Sequence, residues 1–176
     1  MMIALVLMSA LLQTKPASVG AASAKAQTAP AKAEIPESAY APLELYNGTW
    51  KIVPGHHDRP YDTVVNHCHR EDLYYSCTQT VDGVLSALVV FVPTDVPGRY
   101  HSQVVMPSGE AVGRSDITID GDLWTYNSQE DRNGKTYYYR TVNVFSGKDK
   151  IHYSQQTSSD GVHYDEKSSG DEQRVP

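Results

Sequence analysis

Several things are scarce in this sequence, and each scarcity narrows what it encodes. Basic residues are outnumbered, 15 Lys and Arg against 21 Asp and Glu, and the net charge of −6 speaks against a general nucleic-acid binder. No apolar run approaches the roughly 20 residues needed to span a bilayer. No G-x-S-x-G, H-E-x-x-H or glycine-rich phosphate loop is present, so no familiar catalytic signature points to an enzyme. Helical periodicity is missing from Leu43 onward. Phenylalanine is nearly absent, 2 residues against 12 tyrosines, so most aromatic rings here carry a polar tip. What remains is 40% hydrophobic and 20% charged, which excludes a disordered polyelectrolyte, and 176 residues suit one domain.

The longest apolar stretch is Ile3–Leu12, interrupted only by Ser9, and a small-residue tract follows at Ala21–Gln27. Together they read as a secretory signal with an A-x-A cleavage site, although nothing basic precedes Ile3. The preferred cut lies before Gln27, giving a 1–26 signal peptide, with a cut before Lys25 close behind. The alternative is a buried N-terminal helix. Cleavage leaves 150 residues and, with Lys15 and Lys25 gone, a charge of −8. No cysteine lies near the cut, so no lipid anchor is expected. Residues 27–42, rich in Ala, Pro and polar groups, read as an extended spacer, and the domain is expected over 43–176. The expected location is secreted or periplasmic.

The domain alternates like an all-β protein. Runs rich in Val, Ile, Thr and Tyr fall at 45–53, 63–69, 73–81, 84–92, 98–106, 111–119, 123–129, 135–145, 150–158 and 162–168. Between them stand turn sequences such as Asp82-Gly83, Asn133-Gly134 and Asp160-Gly161, whose residues tolerate positive φ. Short loops force antiparallel neighbours. A meander of about 8–10 strands without helices must hide its edges by closing into a barrel or folding into a sandwich. The run from Val84 to Val92 is apolar on both faces and is expected to be buried on both, under the spacer or a second subunit. Tyr137, Tyr139, Thr141, Asn143 and Phe145 share one face of a later strand, and Tyr138, Arg140, Val142 and Val144 the other.

Asn47-Gly48-Thr49-Trp50 places a G-x-W on the first strand of this secreted all-β domain. It resembles the start of the lipocalin-like (calycin) barrels. The hairpin at Ser159–Tyr164 resembles the closing hairpin of uncharacterised bacterial secreted proteins with that barrel. The resemblance implies that Gly48 lets the strand bend, that Trp50 plugs the closed end, and that a late arginine packs across it, Arg174 first and Arg140 second. There is no second motif of the Thr-Asp-Tyr kind and no helix after the barrel, so the likeness is to a simpler relative than a full lipocalin. A bacterial source would leave the formal sequon at Asn47 unused.

Cys68 and Cys77 flank a candidate turn, and in an exported protein they most economically form a disulfide; a pair of metal thiolates is the alternative. His67 and His69 lie two apart on a strand and project from one face, with His56, His57, Asp58 and Asp62 nearby. Such imidazoles can share a metal, but the pattern lacks a four-ligand zinc spacing, and no metal or cofactor is assigned. Arg114 and Asp116 share a face and could enter the lumen as an ion pair. The expected function is a barrel that binds a small amphipathic ligand, with Trp50 as floor, Tyr137, Tyr139 and Tyr153 as walls, and Arg140 facing an anionic group. The competing reading is an interaction or structural barrel whose interior is filled by side chains, dimerising through Val84–Val92. An enzyme working in the lumen comes third.

Overall fold

A computed structural model describes residues 35–57 and 62–176. Two short 3-10 turns, Glu37–Ala39 and Ala41–Tyr46, lead into ten strands. These are β1 (Gly48–His57), β2 (Thr63–Glu71), β3 (Tyr74–Val81), β4 (Val84–Pro93), β5 (Arg99–Val105), β6 (Ala111–Asp120), β7 (Leu123–Arg132), β8 (Lys135–Ser146), β9 (Lys150–Ser158) and β10 (Asp165–Val175). Each strand pairs antiparallel with its neighbours in sequence, and β10 pairs with β1, so the meander closes into a barrel. The turns explain the topology. Asp82 and Gly83, and again Asn133 and Gly134, all have positive φ, the geometry of a two-residue hairpin connection that follows the strand twist. The last strand begins and ends later than its alternation suggests.

One end of the barrel is closed by a packed core. Trp50, Tyr75, Phe91, Ile117, Trp124 and Phe145 are all fully buried there. Trp124 and Phe145 have ring centroids 4.9 Å apart, and Phe145 also meets Trp50 edge-on at 6.2 Å. The 3-10 segment completes this end. Leu43 and Tyr40 are buried, the Tyr40 hydroxyl donates to the Leu73 carbonyl at 3.1 Å, and the Tyr100 hydroxyl donates to the Ala39 carbonyl at 2.8 Å. Residues 35–42, read from composition as spacer, therefore belong in part to the fold. The reason is that Tyr40 is buried and Ile35 and Ala39 pack against the core, apolar contacts that an Ala/Pro-rich composition conceals. Residues 1–26, read from sequence as a signal peptide, lie outside the described residues.

Cys68 and Cys77 sit directly opposite each other on β2 and β3 and form a disulfide. Within the single chain, β4 is buried on one face only, and the cover expected for its outer face is not among the described residues. Ala87, Val89 and Phe91 are buried, but Val84 (69%), Leu85 (51%) and Leu88 (40%) are exposed. A barrel wall is one layer thick, so a strand's outer face meets solvent unless something covers it. A bulge against β3, where Gln79 pairs with Ala87 but Thr80 pairs with Leu85, also shifts the alternation in the middle of the run.

The ladders are unequal at the other, open end. β7 and β8 pair along their full length, from Leu123 with Val144 to Arg132 with Lys135. Pairing between β6 and β7 starts at Asp120 with Leu123 and stops at Asp116 with Asn127. Beyond that point β6 pairs only with β5 and β7 only with β8, leaving a slit in the wall. Gly113, at φ +62°, lies in the β6 segment where its register with β5 shifts.

Candidate functional site

Above the closed end the interior is not filled. A cavity of about 410 Å³ lies inside the barrel. Its composition follows from strand parity, since every second residue of each strand points inward. Trp50, Val64, Val89, Phe91 and Ile151 supply apolar wall; Asn66, Gln79, Thr141, Asn143 and Gln155 supply polar wall. Tyr46, Tyr126 and Tyr153 contribute rings with hydroxyl tips.

The polar groups are organised. The Gln79 amide donates to Asn66 Oδ1 at 3.1 Å and to the Tyr46 hydroxyl at 3.4 Å, so buried Asn66 has a partner in the wall. The Tyr126 hydroxyl is different. It is buried, and no group among the described residues hydrogen-bonds to it. Burial, with Tyr46 close by, pushes its pKa well above the ordinary phenol range, so it stays protonated and able to donate. A buried hydroxyl left unsatisfied costs about 1–3 kcal/mol, which favours an acceptor in the cavity.

The floor is strapped from outside. The Arg174 guanidinium lies 4.2 Å from the centroid of the Trp50 ring. Its Nη2 donates to the Leu45 carbonyl at 2.7 Å, its Nε to the Lys148 carbonyl at 2.8 Å, and its Nη1 to the Asn47 carbonyl. Gly48, at φ +120°, passes against this guanidinium with no room for a Cβ. Gly48, Trp50 and Arg174 thus meet in one cluster.

The residues named from sequence separate into two groups. Trp50 and Tyr153 line the cavity. Tyr139 is half-buried and Tyr137 is 40% exposed, both farther along β8 toward the open end and outside the cavity wall. Arg140 is on the outer face: its Nε donates to Asn127 Oδ1 at 3.2 Å, and its guanidinium lies 3.7 Å from the Tyr164 ring centroid. It cannot meet an anion in the lumen, because it alternates with Tyr139 and Thr141 on the same strand. Arg114 and Asp116 are exposed, and Asp116 accepts from His101 Nδ1 at 2.7 Å rather than forming an internal ion pair. His67 and His69 are on the outer face of β2, where His69 Nε2 is 3.4 Å from Ser76 Oγ. Among the described residues no three His, Cys, Asp or Glu side chains converge as metal ligands. The side chains of His56 and His57, and Asp58 altogether, lie outside the described residues.

Sequence reasoning missed Asn66, Gln79, Tyr126 and Gln155. Strand parity carried the only signal for them, since each lies two residues from a more obvious inward neighbour: Val64, Cys77, Trp124 and Tyr153. No protein-family model matches the chain, and no curated protein matches it.

Proposed function

We propose that this protein is an exported, lipocalin-like barrel that binds a small amphipathic molecule in its interior. The observation that carries this reading is the cavity of about 410 Å³, with apolar and hydrogen-bonding walls and the unpartnered Tyr126 hydroxyl among them. That volume falls in the range of roughly 300–1,000 Å³ typical of small-ligand sites. Apolar burial against Trp50, Val89 and Phe91 supplies affinity, and the Asn66–Gln79 pair, Thr141 and Tyr126 set orientation.

The test uses N-phenyl-1-naphthylamine, a neutral fluorophore that brightens when it leaves water. The wild-type protein is expected to bind it saturably and to show quenching of tryptophan emission, because Trp50 lines the cavity. Thr141→Trp, which fills the cavity from β8, is expected to abolish binding while leaving the far-ultraviolet spectrum intact. Absence of saturable binding by the wild type, or full binding by the filled variant, overturns the proposal. A second reading, a protein-interaction barrel, has one observation in its favour: the exposed apolar Val84, Leu85 and Leu88 on β4. Concentration-dependent sedimentation that is lost in Leu85→Lys would support it.

A further inference from the structure

The slit between β6 and β7 holds a second hollow, also of about 410 Å³, whose lining includes Arg114, Ser115, Asn127, Gln129, Tyr138 and Tyr164. Ser115 lines both this hollow and the interior cavity, so the two adjoin at one residue of the wall. The hollow is more polar than the interior.

Its charge is specific. Among the described arginines, every one but Arg114 is already engaged. Arg70 pairs with Glu37, Arg99 donates to Thr118, and Arg132 pairs with Glu130. Arg140 bonds Asn127, and Arg174 straps the floor. Arg114 makes no ion pair, hydrogen bond or ring contact among the described residues. The acid in the slit, Asp116, is held by His101 at 2.7 Å. Asn127 spends its carbonyl on Arg140, which leaves its amide nitrogen as a donor. A free guanidinium beside free amide and hydroxyl donors is the chemistry that receives an oxyanion.

We propose that the slit is the headgroup subsite of the interior cavity: an amphipathic ligand lies with its apolar part in the barrel and an anionic carboxylate-, sulfonate- or phosphate-type group in the slit, on Arg114. This rests on the interior-binding reading above. It also supplies the anion partner that the sequence suggested in Arg140, at a different arginine and through the wall.

Two probes with the same rings separate the two proposals. 8-Anilino-1-naphthalenesulfonate carries a sulfonate; N-phenyl-1-naphthylamine lacks it. In Arg114→Gln, affinity for the sulfonate is expected to fall on the order of fivefold, the loss of one charge-assisted contact at an exposed arginine, with the neutral probe unchanged. Gln129→Glu, which puts a carboxylate in the same hollow, is expected to act in the same direction. Arg99→Gln, with the same charge change at the closed end, is expected to leave both probes unaffected. The subsite is overturned if Arg114→Gln changes sulfonate binding by less than about twofold, or if Arg99→Gln weakens it equally, or if the neutral probe is weakened as much as the sulfonate. Wild-type binding of the neutral probe alone overturns the subsite but not the interior site, and binding of neither overturns both.

Discussion

Replacing Arg174 tests how the closed end is held. Its guanidinium joins three carbonyls, of Leu45, Asn47 and Lys148, from segments far apart in sequence, and covers the Trp50 ring. Charge-assisted hydrogen bonds contribute about 1.5–3 kcal/mol each when sheltered. The Arg174 side chain is 23% exposed, so the lower end applies, and water can recover part of the loss at the Lys148 carbonyl. The cation–π contact adds about 0.5–1 kcal/mol. Arg174→Ala should therefore cost about 3.5–5.5 kcal/mol. At about 3 °C per kcal/mol for a domain of this size, the melting temperature should drop by roughly 10–16 °C. Arg174→Lys separates geometry from charge. It keeps the cation but cannot reach three carbonyls from one planar fork, so it should recover less than half of the loss. Urea unfolding of the three proteins, followed by tryptophan emission, measures this directly. A loss under about 1 kcal/mol for the alanine variant, or full rescue by lysine, would refute the strap.

Trp50→Ala should destabilise by about 3–5 kcal/mol, because it removes a fully buried ring packed on Phe145; calorimetry checks it. Replacing Cys68 and Cys77 together with serine should cost about 2–3 kcal/mol, read from the urea midpoint, since the loop they close is short. At the β9–β10 connection, Asp160 accepts from His163 Nδ1 at 2.7 Å and from the Val162 and His163 amides at 2.8 Å each. The His163 hydrogen bond first, and the amides after it, hold the Asp160 pKa below the usual carboxylate range, while Asp160 raises that of His163. The pair is therefore fully formed between about pH 4 and 6.5. It is lost as pH falls through the lowered Asp160 value or climbs through the raised His163 value. Proton NMR should show His163 titrating above about 6.5, returning to it in Asp160→Asn.

Much of the fold was legible because local rules agreed. Strand alternation, Asp-Gly and Asn-Gly pairs and Gly48 before Trp50 all favour the same meander, and Cys68 lies opposite Cys77 only if β2 and β3 form a hairpin. The first part of the cap was not legible, since Ile35, Ala39 and Tyr40 stand among Ala, Pro and Glu without a period. Part of the site was legible but misread. Parity puts Arg140 and Tyr139 on opposite faces, so both could not line one lumen. The slit was hidden for a different reason: no residue type encodes the absence of pairing between two strands, and Gly113 is only a local hint. The inward Asn66 and Gln79 were hidden because polarity, read alone, places them outside.

The pairing of β1 with β10 has a kinetic consequence. Trp50 lies opposite Arg174, so the first strand of the wall waits for the last. Until the segment carrying β10 has been made and brought back, the sheet has two open edges and its floor lacks its clasp. Long-separated closure of this kind is slow, because the chain's entropy must be lost before the final ladder compensates for it. A growing chain of this design therefore keeps its wall open until β10 has been synthesised and paired with β1.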